Sequence, residues 1–182
     1  MRTSPIGLLL ALALAATLAG CGGDGAVDAG ASASADGAFD AGEVQIAPDF
    51  ELSDLDGQTV KLSALDGDVR LIDFWATWCP PCRDEIPMLN ELHQAYADQG
   101  LTILAISDEK PEVVREFARD TGMQYRNLLD PGEVSEAYRV FGLPTAYLLD
   151  REGKVIETFF GPKSRKALEK QIRELLDLPP AT

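Results

Sequence analysis

Large apolar positions in this chain come in short blocks parted by Gly, Pro and Asp once residue 43 is passed. Phe50, Leu52 and Leu55 precede the turn signal Asp56-Gly57, and Thr59, Val60 and Leu62 follow it, which predicts a β-hairpin. After a second turn at Asp66-Gly67, the stretch from Val69 to Trp75 is nearly continuous in large apolar residues, the pattern of a buried central strand. The period then becomes helical. Ile86, Leu89, Leu92 and Tyr96 recur on one face, Pro80 and Pro81 suit a first turn, and Gly100 supplies a stop. Leu101 to Ile106 predicts a second buried strand, and Pro111 to Thr121 a helix with Val113, Val114 and Phe117 inward. Pro131 to Phe141 predicts another short helix. Thr145 to Leu149 and Val155 to Phe160 predict two strands joined by a turn at Asp150 to Gly153. Ser164 is placed to cap a last helix carrying Leu168, Ile172, Leu175 and Leu176. Strands separated by helices call for parallel crossovers, and a closing hairpin adds antiparallel strands. The pattern therefore predicts an α/β fold with one mixed sheet and helices on both faces.

The first 43 residues follow other rules. Arg2 and the Leu/Ala-rich run from Ile6 to Leu18 read as a secretory leader, too short for a comfortable permanent span. Leu18-Ala19-Gly20-Cys21 looks like a bacterial lipobox, in which the leader is cut before the cysteine and that cysteine takes the lipid. Residues 21–43 are mostly Gly, Ala, Ser and Asp and read as a flexible tether. The expected division is thus 1–20 leader, 21–43 tether and 44–182 folded domain, held outside the cytoplasm on a lipid anchor. A formal net charge of -14 gives no electrostatic help toward nucleic acid or anionic headgroups, so neither is expected as a partner beyond the anchor itself.

With Cys21 assigned to lipid, two of the three cysteines remain, in Trp78-Cys79-Pro80-Pro81-Cys82. The motif sits where a buried strand gives way to a helix. Unpaired N–H groups and the partial positive charge of that helix end stabilise a thiolate. Cys79, at the end itself, is expected to be the exposed nucleophile, and Cys82, one turn in, the partly buried resolving thiol. Glu85 lies one further turn on and faces the same side as the pair. A solvated first-turn glutamate favoured by the helix dipole is the alternative there. Zinc also uses this cysteine spacing, but no further ligands stand close in sequence, and the lone histidine, His93, reads as a surface or boundary residue. No metal is expected. Asp108, Glu109 and Glu112 read as an acidic cluster that the dipole of the following helix explains.

The segment Asp73-Phe74-Trp75-Ala76-Thr77-Trp78-Cys79-Pro80-Pro81-Cys82 resembles the active-site stretch of thioredoxins, and most of all that of the TlpA/ResA-like group of exported, membrane-tethered thiol–disulfide reductases. Ala47-Pro48-Asp49-Phe50 resembles the start of that group's N-terminal hairpin, Gly142-Leu143-Pro144-Thr145 its cis-proline loop, and the region between Ser107 and Asp130 its central helix-and-strand insert. The resemblance runs from about Ala47 to Leu178. It implies a thioredoxin-like fold with a redox-active disulfide and no other cofactor. It implies that Pro144 is cis and faces the cysteines, that Leu143 offers its backbone to a bound peptide strand, and that Trp78 shields the pair. Trp78, Pro80, Pro81, Leu143 and Pro144 are accordingly the expected substrate-binding residues. Pro87 matches a kink proline in the active-site helix. Asp73, six residues before Cys79, matches a buried acid that takes the proton of Cys82; part of the group has Asn there. Burial is expected to raise its pKa toward neutrality, as suits a base. Glu85 matches a glutamate that tunes the pair.

The activity so implied is reduction of disulfides in exported proteins, apocytochrome c among them, with electrons from a membrane thiol carrier. The same couple run in reverse would be an oxidase or isomerase. A thiol peroxidase is a further alternative, but Ile72 and Ala76 stand where peroxiredoxins carry Pro and Thr or Ser before the reactive cysteine. A copper-delivery protein of related fold would combine its own form of cysteine pair with a histidine ligand, a combination that this chain lacks, its lone His93 reading as a surface or boundary residue.

Overall fold

The computed structural model describes residues 45–179, so Cys21, the leader and the tether lie outside the described residues. The N-terminal hairpin forms as the pattern requires: β1 (Glu51–Asp54) and β2 (Thr59–Lys61) pair antiparallel with Leu52 opposite Val60. Asp54 fixes the turn by accepting the amides of Asp56 and Gln58, both at 2.9 Å, and Gly57 supplies the positive φ of 78°. β3 (Val69–Phe74) follows, buried at every position. α1 (Pro80–Tyr96) begins with two prolines, whose missing N–H groups cost nothing in a first turn. A short 3-10 turn, Ala97–Gln99, and left-handed Gly100 end it. Next come β4 (Leu101–Ser107), α2 (Pro111–Thr121), β5 (Arg126–Leu129), α3 (Glu133–Ala137), β6 (Thr145–Leu149), β7 (Val155–Phe160) and α4 (Arg165–Leu175).

Among the described residues the strands form one seven-stranded sheet in the order β2-β1-β5-β4-β3-β6-β7. β3, β4 and β5 run parallel; β1, β2, β6 and β7 join antiparallel. This is the expected α/β thioredoxin-like architecture, with its N-terminal hairpin and central α2–β5 insert. Alternation along the central strands feeds two cores. Val69, Leu71, Leu101 and Ile103 face Leu89 and Leu92 of α1 and Leu168 and Ile172 of α4. Ile72, Phe74, Leu104 and Ile106 face the other way, toward Phe50, Leu52, Tyr138 and Tyr147. Asp73 therefore projects onto the α1–α4 side, with Val69 and Leu71.

Three expectations need correction. Val113 is exposed, and Val114 with Ala118 carries the inward face of α2, because a four-residue step keeps these two on one side while position 113 lies about 100° away. α3 is shorter than the run 131–141. Asp130 takes the amides of Gly132, Val134 and Ser135 and so fixes its start, and Tyr138 closes it before Arg139 turns to a φ of 52°. Ser164 stands at the N-cap of α4 but its hydroxyl makes no capping hydrogen bond.

Candidate active site

The site forms where β3 ends. Trp75 N–H donates to Ile106 O at 3.0 Å and Cys79 N–H to Ala76 O at 3.1 Å, which turns the chain from strand to helix within four residues. Cys79 is the N-cap of α1 and is disulfide-bonded to Cys82, with 5.3 Å between the Cα atoms. Prolines at 80 and 81 remove the first two helix donors. The first remaining amide, that of Cys82, is 3.3 Å from Cys79 Sγ. The one N–H at this helix end that can reach the sulfur is thus aimed at it, the arrangement that favours a thiolate once the bond opens.

Both cysteines are buried, Cys79 at 2% exposure and Cys82 at 4%, so the expected contrast of an exposed and a hidden thiol is absent in the oxidised pair. The disulfide and the Cys82 amide draw Cys79 Sγ back onto the helix end. Trp78 beside it is 67% exposed: it packs into no core and stands as an aromatic flank. The Leu143–Pro144 bond is cis, as expected. Gly161 N–H donates to Pro144 O at 2.9 Å, and β7 places Phe160 opposite Thr145, so Phe160 shares the sheet end with the proline loop. Phe141 and Phe160, both strongly exposed, were not singled out by the sequence; an apolar residue next to a loop or at a strand end carries no signal of exposure.

Asp73 and Glu85 are both buried, which excludes the solvated reading of Glu85. The residue that brings them together is one the sequence reading passed over. Lys163, in the connection from β7 to α4, extends a fully buried side chain between them. Its Nζ lies 2.8 Å from Asp73 Oδ1 and 2.8 Å from Glu85 Oε2, and its backbone N–H donates to Glu85 Oε1 at 2.5 Å. Desolvation works against the ammonium, but the two carboxylates outweigh it and hold the Lys163 pKa above the ordinary lysine value. Tyr125 faces the same cluster. Burial first, then the charges of Asp73 and Glu85, push its phenol well up.

Glu109 is the second residue misjudged. It lies in the loop before α2, and its carboxylate spans the active-site turn: Oε2 accepts the Thr77 amide at 2.6 Å and Oε1 the Thr77 hydroxyl at 2.7 Å. Ser107 supports it from β4, its hydroxyl accepting the Glu109 amide at 3.3 Å. His93 is half-buried on α1, the boundary position expected of it.

Comparison with known proteins agrees with this geometry. The model of the AhpC/TSA family matches residues 44–158. The thiol-disulfide oxidoreductase ResA of Bacillus thuringiensis (strain Al Hakam) is 35% identical over 131 residues, 71% of this chain and 76% of the relative. The thioredoxin-like protein YneN of Bacillus subtilis (strain 168) is 37% identical over 134 residues, 71% of this chain and 78% of its own length. Among solved structures, a Chlorobium tepidum protein described as the thiol:disulfide interchange protein DsbE superposes with a TM-score of 0.69 at 36% identity, covering 73% of this chain and 96% of that one.

Proposed function

The chain belongs to the AhpC/TSA family and is a thioredoxin-fold thiol–disulfide oxidoreductase, and from that premise we propose that it works as a reductase of disulfides in exported proteins. The observation that carries the reading is the Cys82 amide aimed at Cys79 Sγ at the start of α1, with two buried carboxylates on the covered side of the pair. The cycle runs from the dithiol form. Cys79 thiolate attacks one sulfur of the substrate disulfide, forms the mixed disulfide and releases the other sulfur as a thiolate. Cys82 then gives its proton to Asp73 and attacks Cys79 Sγ. This restores the Cys79–Cys82 bond and releases the second substrate thiolate. Two electrons have passed to the substrate, and an external membrane dithiol returns them. Glu85 tunes the pair from the next turn of α1.

Substrates meet a surface made by Trp78, Pro80 and Pro81 on one side and Leu143 and Pro144 on the other, widened by Phe141 and Phe160. Proline at 144 and 80 presents no N–H that a bound strand must satisfy, while Leu143 keeps a backbone available for pairing. The folded domain, 44–182, works at the end of the 21–43 tether, anchored through lipid on Cys21 on the outer side of a bacterial membrane. Apocytochrome c is among the substrates that such a reductase serves.

Equilibrating the pair with glutathione buffers tests the direction, with Cys79→Ser as the blank. A potential near or below about −270 mV supports a reductase, and one near about −120 mV makes disulfide formation the better reading. Metabolic labelling with a fatty acid tests the anchor: label should enter the chain and be absent from Cys21→Ala.

A further inference from the structure

Of the three buried charged groups that meet beside the redox pair, Asp73 and Glu85 have roles in the cycle above; Lys163 has none, although its side chain has no exposure at all. Burying an ammonium is costly unless its charge is matched, and here it is matched twice over. The carboxylates of Asp73 and Glu85 each touch the same nitrogen at 2.8 Å, so their nearest oxygens lie within about 6 Å of one another, a range at which two buried carboxylates resist joint ionisation. One ammonium between them removes that conflict and leaves a cluster with a net charge of about one negative unit. Its surroundings are dry: Tyr125 faces the carboxylates from the segment before β5, Cys82 precedes Glu85 by one turn of α1, and both are buried. The segment that delivers Lys163 also touches the substrate side, since Gly161, two residues earlier, holds Pro144 O.

We infer that Lys163 is a positioning residue of the redox cycle, which holds Asp73 and Glu85 together in their ionised forms so that Cys82 meets a ready proton acceptor during resolution of the mixed disulfide. The inference rests on the reading of Asp73 as that acceptor. Without the ammonium, one proton has to enter the cluster and the two acids share it, so the acceptor is occupied at the pH where it is needed. Asp73 and Glu85 cannot supply this function to each other, because both are anions. Tyr125 cannot replace the lysine, because burial first, and then the same charges, hold its phenol neutral.

The full chain with Lys163→Met keeps the length of the side chain and drops its charge. Infrared titration of the carboxyl band reads the cluster directly, with Asp73→Asn and Glu85→Gln assigning the signal. The wild-type protein should show no protonated carboxyl from these two residues at neutral pH. Lys163→Met should gain one, with its titration moved up by about two pH units or more. Stopped-flow decay of a preformed mixed disulfide on Cys79 should show the rising limb of its pH profile displaced upward to match, and a rate at pH 6 at least tenfold lower. A lysine that only fills space predicts superposable pH profiles for the two proteins, and that result overturns the inference. If Lys163→Met does not fold, the wild-type titration still decides: a protonated carboxyl at neutral pH that vanishes in Asp73→Asn or Glu85→Gln overturns it equally. Failure of the parent reading looks different, since a wild type no more active than Cys79→Ser would leave the carboxyl titration untouched.

Discussion

Glu109 gives the sharpest quantitative expectation, because its whole contribution is concentrated on one residue of the active-site turn. Its carboxylate takes the Thr77 amide at 2.6 Å and the Thr77 hydroxyl at 2.7 Å. A hydrogen bond to a charged group is worth about 1.5–3 kcal/mol net when dry. Glu109 and Thr77 are both half-buried, so water can replace part of what is removed. The two bonds together then contribute about 2 kcal/mol, roughly one-third to two-thirds of their combined dry value of about 3–6 kcal/mol. Glu109→Ala should lower stability in urea by that amount. Glu109→Gln should cost about half as much, since the amide oxygen can still accept the Thr77 N–H while the NH2 turns to a hydroxyl able to rotate and accept. The loss should be local in its first effect. Protection of the Thr77 amide against hydrogen exchange should fall about 30-fold in the alanine variant, at about 1.4 kcal/mol per factor of ten. Cys79 lies two residues on, so the second-order rate with a protein disulfide should fall with it. An alanine variant whose Thr77 amide exchanges as slowly as the wild type would refute the reasoning, and Glu109 would return to being an ordinary acid near a helix start.

Asp73→Asn should slow resolution of the mixed disulfide by about 100-fold near neutral pH, the lower range for loss of a proton acceptor, while leaving attack by Cys79 little changed; equal rates for both steps from pH 6 to 8 would remove Asp73 from the proton path. Asp130→Ala should cost about 3 kcal/mol, since this buried carboxylate accepts the amides of Gly132, Val134 and Ser135 and the Ser135 hydroxyl, and the damage should appear as loss of exchange protection in α3. Alkaline stability carries a definite sign: desolvation opposes the Lys163 ammonium but Asp73 and Glu85 outweigh it, and burial raises the phenols of Tyr125 and Tyr138. All three hold their protons more tightly folded than unfolded, so their contribution is complete below about pH 10 and falls away as the pH climbs from the unfolded values toward the raised folded ones. Urea unfolding should therefore give a level stability from pH 7 to 9 and a steep fall by pH 11; a flat profile to pH 11 contradicts it.

Which parts of this molecule could be read from sequence depends on how far apart the interacting residues lie. The two central strands announce themselves because Val69–Phe74 and Leu101–Ser107 are buried on both faces and need no partner to explain their apolar runs. The β5 segment, Arg126-Asn127-Leu128-Leu129, is four residues long and begins with a charge, so periodicity alone could not find it; only the family resemblance implied a strand there. The length of α3 depended on a carboxylate just before it and a left-handed residue just after it, which hydrophobic spacing does not encode. The cysteines were legible because their chemistry is local: spacing, helix start and sulfur-directed amide fall within four residues.

Lys163 and Glu109 escaped for the opposite reason. Lys163 reaches partners 78 and 90 residues away, and Glu109 a partner 32 residues away, and both sit where a charged side chain is ordinarily solvated. Yet one signal for Lys163 was present. Glu85 was placed on the face of α1 that carries the pair, and Asp73 inside a strand expected to be buried. Two acids driven into one dry region cannot be left uncompensated, because an isolated buried carboxylate neutralises or acquires a cation. The chain has 16 Lys and Arg residues from which that cation had to come. A lysine in the short connection between the closing hairpin and the last helix was among the few able to reach the end of β3, since that hairpin pairs Phe160 with Thr145, which β6 in turn sets opposite Phe74 of β3. Charge balance applied to predicted burial, rather than motif or period, is the inference that would have found it.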